Sequence, residues 1–114
     1  MVHYVTNSEQ RLTSYEATFV FLPDAESVER GKQAVQGMFA KSGVKIAGED
    51  DIGERVLAYP IRKRDRGYYL HYEIESDPQK VQGLYQAAGL IPDILKCFIV
   101  HRVPTVAPSA AQSG

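Results

Sequence analysis

The chain has 114 residues, is 44% hydrophobic and 24% charged, and carries a formal net charge of −1; this suits one soluble globular domain and excludes a generic polyanion binder. Its one cysteine excludes an intrachain disulfide, no Cys/His grouping has zinc-ligand spacing, and no apolar run approaches the roughly 18–20 residues that span a bilayer. The start MVHYVTNSEQ has neither the basic-then-apolar pattern of a signal peptide nor the Arg-rich look of a transit peptide, so the expected location is cytoplasmic.

Residues 1–12 read as a polar N-terminal extension without periodicity. Residues 15–22, YEATFVFL, put Tyr15, Ala17, Phe19 and Phe21 on one side of a strand. Val20 and Leu22 make the other side apolar too, as expected of a central strand with a partly covered second face. Pro23-Asp24 ends the strand and offers Asp24 as a helix N-cap. Val28, Gly31, Val35, Met38, Phe39 and Ser42 then share a helical face, and Gly43 supplies the stop. Residues 44–61 read as a long strand bent or bulged at Gly48 and Gly53. Arg62 to Gly67 read as a turn, and Tyr68 to Glu75 run back with Leu70, Tyr72 and Ile74 apolar and Tyr69, His71, Glu73 and Glu75 polar, which makes a hairpin. Asp77-Pro78 starts a second helix with Val81, Leu84, Tyr85 and Ala88 in register and Gly89 as its stop. Residues 94–102, ILKCFIVHR, form the last strand, and the segment from Pro104, PTVAPSAAQSG, reads as a flexible tail. The expected organisation is therefore an extension at 1–12, a domain at 13–103 and a tail at 104–114. Strand, helix, strand, strand, helix, strand specifies a ferredoxin-like α+β fold, βαββαβ, with two helices on one face of a four-stranded antiparallel sheet.

Charge is concentrated. Residues 62–66 hold Arg62, Lys63, Arg64 and Arg66 against one acid, Asp65. Basic side chains fanned around a hairpin tip suit several phosphates better than one base edge. Tyr68, Tyr69 and Tyr72 invite comparison with the base-stacking aromatics of an RRM, which has the same topology. Arg66-Gly67-Tyr68 fits the start of that motif, but Tyr69, Leu70, His71 and Glu73 depart from it. Tyr72 then belongs to the core, and Tyr69 remains the open-face candidate for a base. Tyr59-Pro60 reads as a shaper of the strand end, since Pro60 removes a ladder donor. His3, His71 and His101 fall on different elements, which excludes a metal or catalytic cluster among them. Cys97 shares a strand face with Ile99 and reads as a small buried hydrophobe. Glu49, Asp50, Asp51 and Glu54 read as a solvated bulge or a surface toward a basic partner.

Three blocks of residues resemble the bacterial small-subunit ribosomal protein S six family. They are Tyr15-Glu16 at the first strand, G-x-R-x-LAYPI-x-K over Gly53, Arg55, Leu57, Ala58, Tyr59, Pro60, Ile61 and Lys63, and GYYLHYEIE from Gly67. ILKCFIV is a weaker match, with Lys96 as the basic residue the family carries inside its last strand. The resemblance covers residues 15–103. It implies a non-enzymatic protein without cofactors that binds the central domain of small-subunit rRNA with ribosomal protein S eighteen and supports subunit assembly and translation. The RNA-binding residues expected on this basis are Arg55, Arg62, Lys63, Arg64, Arg66, Tyr69, Lys96, His101 and Arg102. The sequence departs from the family at its start, where Arg11 is the nearest replacement for a missing arginine. It departs again at Gly89, Leu90 and Ile91, which stand in place of basic residues, and at His101, which stands in place of lysine. These departures shift the expected RNA contacts toward the basic turn or the partner protein. The alternative is a ferredoxin-like small-molecule-binding module or small enzyme. That reading needs a pocket of convergent polar groups, and the sequence has no GxGxxG, P-loop, nucleophile with a base, or metal spacing.

Overall fold

A computed structural model describes residues 12–102. The elements are β1 (Thr13–Phe21), α1 (Ala25–Ser42), β2 (Lys45–Ile61), β3 (Arg64–Ser76), a 3-10 turn (Pro78–Lys80), α2 (Val81–Gly89) and β4 (Ile94–His101). The strands form one antiparallel sheet in the order β2-β3-β1-β4, the ferredoxin-like arrangement, with both helices against one face. Apart from Leu12, the expected N-terminal extension, including His3 and Arg11, lies outside the described residues, as do residue 103 and the expected tail.

The alternation of β1 decides the layering. Ala17, Phe19 and Phe21 are fully buried beneath the helices. They join Leu70, Tyr72 and Ile74 of β3, Val35 and Phe39 of α1, and Leu84 and Ala88 of α2 in one apolar cluster. The rings of Phe39 and Tyr72 meet edge-on at 5.3 Å, a favoured aromatic geometry. α1 follows the expected periodicity: Val28, Gly31, Val35, Met38 and Phe39 are buried, and Ser42 sits at the rim. Its N-terminus is capped by Asp24, whose Oδ2 accepts from Ser27 N–H at 3.0 Å, and Gly43 closes it at φ 71°. Asp93, in the connection before β4, accepts two hydrogen bonds from Arg30 of α1, at 3.0 and 3.3 Å, which holds that connection to the helix.

The other face of β1 is covered at one point only. Val20 is 1% exposed and packs with Leu57 of β2 and Leu95 of β4, flanked by Leu22, Ile61 and Tyr69. Two bulges make this possible. The β2–β3 register slips at Gly48 and Gly53, as the sequence predicts, and lapses between Val56 and Ile61. Bulges bend and twist a strand, and the far half of β2 curls so that Leu57 reaches Val20. Pro60 stands in this unpaired stretch of an edge strand, where no ladder hydrogen bond is lost. A further register shift at Val20/Phe21 turns Leu95 onto this face, away from Cys97 and Ile99.

Two turn readings are corrected. The hairpin turn is Arg62-Lys63 alone, not Arg62 to Gly67; Arg64 to Gly67 already belong to β3. Both turn residues take positive φ, 53° and 67°, the backbone of a two-residue I′-type turn whose twist matches the flanking strands. Gly67 serves packing instead of turning: a Cβ there would lie 2.5 Å from Val20 Cγ1 and 3.2 Å from Leu57 Cδ2. In the second helical region, Asp77 caps the 3-10 turn by accepting from Gln79 N–H at 2.9 Å. Gly89 is the last residue of α2, not a left-handed stop; Leu90 caps the helix with ordinary right-handed φ. Gly67→Ala is expected to destabilise the fold by about 1–3 kcal/mol through overpacking against Val20 and Leu57. A urea midpoint unchanged by this substitution would contradict the packing role.

Candidate nucleic-acid interface

The curled hairpin presents its basic residues at the end of an arm, but they are not equivalent. Arg62 leans back, and its Nη2 donates to Ile94 O at 3.3 Å. Arg66 is paired with Glu54, Nε to Oε2 at 2.6 Å. The side chains of Lys63 and Arg64 are exposed and have no ion-pair or hydrogen-bond partner among the described residues. Arg55, exposed on the arm, makes only a local bond to the carbonyl of Glu54. The tip's freest positive charge therefore rests on Lys63 and Arg64, with Arg62 and Arg55 held only by backbone carbonyls behind them.

A second basic feature lies on the sheet face away from the helices. Lys96 projects there from β4, with Nζ 3.1 Å from Tyr59 Oη and over the rings of Tyr59 and Phe98, at 5.4 and 5.0 Å. Tyr59 is 59% and Phe98 41% exposed, so aromatic surface flanks the ammonium. Tyr69 lies on this face half-buried, its ring against the Val20–Leu57–Leu95 cluster. Tyr72 is fully buried beneath the helices, and Tyr68 lines the core with its hydroxyl bonded to Asp51. Neither is placed to stack on a base. Sequence reasoning missed Phe98 because its strand alternates apolar residues on both faces, and assigned Tyr59 only to shaping the strand.

At the other end of the same face the charges are already compensated. Arg102 reaches Glu73 at 3.3 Å and Glu16 at 3.7 Å. His71 bonds Thr18 through Nδ1 at 3.0 Å, and its Nε2 is 3.8 Å from Glu16. His101, by contrast, lies on the helix-side face of β4 in line with Cys97 and Ile99; it is exposed, with its ring 5.6 Å from that of its β1 partner Tyr15. The nine sequence-predicted residues thus form no single patch: Lys63 and Arg64 stand at the tip, Arg62 leans back from it, Arg66 and Arg55 lie farther along the arm, Tyr69 and Lys96 lie mid-sheet, and His101 and Arg102 lie at the far end.

The acidic run is partly used within the fold. Asp51 accepts from Tyr68 and from Lys32 Nζ at 3.0 Å. The Tyr68 hydroxyl first, and Lys32 second, hold its carboxyl below the usual carboxylate range. Glu49 and Asp50 remain exposed on the β2 edge. No group of three His, Cys, Asp or Glu side chains is placed to hold a metal ion among the described residues. The space between helices and sheet is filled by apolar side chains, which counts against the small-molecule or enzyme reading. Among the described residues, no helix is long and apolar enough to cross a membrane.

A family model described as "Ribosomal protein S6" matches residues 14–101. The chain is 37% identical over 90 residues to small ribosomal subunit protein bS6 of Treponema pallidum (strain Nichols), covering 79% of this chain and 97% of that protein. It is 34% identical to the bS6 of Treponema denticola with the same coverage. The crystal structure of 30S ribosomal protein S6 from Thermotoga maritima superposes with a TM-score of 0.73 at 26% identity, covering 80% of this chain and 88% of that one.

Cys97 is half-buried beside Ile99, and burial pushes its thiol up to about 12. The thiolate is the reactive form, so at pH 8 the native chain is expected to resist a disulfide thiol reagent and to react fully once unfolded in guanidinium. Rapid native labelling would contradict this placement.

Proposed function

We propose, for a chain that belongs to the ribosomal protein S6 family and is therefore a non-enzymatic protein of the small ribosomal subunit, that it binds the central domain of small-subunit rRNA together with ribosomal protein S eighteen and so supports subunit assembly and translation on the cytoplasmic ribosome. The observation that carries this reading is the basic arm. The side chains of Lys63, in the two-residue turn, and of Arg64, which follows it, stand exposed and unpaired on an arm whose direction is fixed by Val20, Leu57 and Gly67. A cation on a preset backbone meets a phosphate without first breaking an internal ion pair. Arg55 and Arg62 stand behind it, and Arg66 joins only by exchanging Glu54 for phosphate. We place the partner protein on the open sheet face, where Tyr59, Phe98 and Val100 leave apolar surface uncovered. Lys96, Tyr69 and Arg102 then border both partners, and His101 reaches RNA from the helix side of the β4 end. The working unit is residues 13–103, with 1–12 and 104–114 as flanking segments.

Lys63→Ala with Arg64→Ala is expected to weaken binding to central-domain rRNA in the presence of ribosomal protein S eighteen. The slope of log K against log salt should become shallower by about 1.5, since each lost phosphate contact removes roughly 0.7–0.9. Filter binding over a salt series measures both quantities. Affinity and slope identical to those of the parent chain would remove the tip from the mechanism.

A further inference from the structure

β4 is an edge strand, paired on one side only, with β1. Its sequence, ILKCFIVH, has one charge and no proline, the composition of a strand that readily pairs with another copy. The opposite edge, β2, is blunted by bulges at Gly48 and Gly53 and by exposed Glu49 and Asp50. β4 carries no bulge from Lys96 to His101.

Its outward backbone groups can be assigned. Arg102 N–H donates to Ser14 O at 2.8 Å while Tyr15 faces His101. In an antiparallel ladder this alternation turns the N–H and C=O groups of Cys97, Ile99 and His101 away from β1. At Ile99, the middle of the three, both groups are occupied. Ile99 N–H donates to Tyr85 Oη at 2.8 Å, and the Tyr85 hydroxyl donates to Ile99 O at 3.2 Å. One hydroxyl from α2 thus makes the donor–acceptor pair that a residue of a fifth strand would make. For the outward N–H groups of Cys97 and His101 no such partner is present among the described residues. Arg62 covers the start of the strand by donating to Ile94 O.

We propose that Tyr85 guards the β4 edge against antiparallel pairing with a second copy of this chain. A two-fold pairing centred on Ile99 would set Cys97 opposite His101 of the other copy, so the edge is self-complementary and an isologous dimer closes. The Tyr85 hydroxyl removes the central pair of that ladder, and its ring occupies the space beside it. The guard does not depend on RNA binding: it keeps the free protein monomeric whatever its ligand.

Tyr85→Phe, in the full chain, keeps the ring and removes the hydroxyl. Sedimentation equilibrium is expected to show a monomer for the parent chain and concentration-dependent dimer or larger species for the variant. In dilute monomeric variant, the Ile99 amide should exchange with solvent several-fold faster, about what one hydrogen bond is worth. In the associated variant, Cys97 and His101 amides should gain protection. A variant that stays monomeric over the same range, or that associates without new protection at Cys97 and His101, overturns the proposal. The parent chain gives an independent reading should the variant fold poorly: its Ile99 amide should exchange more slowly than its Cys97 amide, and equal rates overturn the guard.

Discussion

The direction of the basic arm depends on Val20. This residue stands in β1, paired by β3 on one side and β4 on the other, with its side chain on the face that the helices leave open. Leu57 and Leu95 close over it. Burying an aliphatic side chain contributes about 1.5–3 kcal/mol, enough for this small cluster to tie down a stretch of β2 that has lost its ladder to β3. The same contact leaves no room for a Cβ at residue 67. The requirement for glycine at 67, the hairpin curvature and the position of Lys63 and Arg64 are therefore consequences of one contact.

Electrostatics then sort the cations by availability. Arg30, Lys32, Arg66 and Arg102 are held by carboxylates of the same chain. Lys96 is held between two rings, an arrangement worth about 0.5–1 kcal/mol at an exposed site. The chain can carry a net charge of −1 and still present a positive point, because several of its bases are paired with acids of the same chain while Lys63 and Arg64 are not. Electrostatic attraction to a polyanion follows local potential more than total charge.

Much of this was legible in the sequence. The alternation of β1, the periodicity and caps of α1, the two bulge glycines and the LAYPI and GYYLHYEIE blocks specify the fold and the family, because each is a local signal that agrees with the global arrangement. The turn was misplaced for a definite reason. Gly67 looks like a turn glycine, whereas Arg62 and Lys63 adopt positive φ without the Gly or Asn that normally signals it. Gly67 owes its identity to Val20, 47 positions away in the chain, and no local pattern carries that. The partners of Arg66 and Arg102, and the second role of Tyr85 beyond its helical register, likewise arise only when strands distant in sequence become neighbours.

Sucrose-gradient fractionation of a lysate containing the tagged full-length chain bears most directly on membership of a working small subunit. The protein should travel with the small-subunit peak at about 0.1 M monovalent salt and leave it as salt approaches about 1 M, since phosphate contacts weaken steeply with ionic strength. Protein remaining at the top of the gradient at low salt, with intact subunits below it, would contradict the assignment.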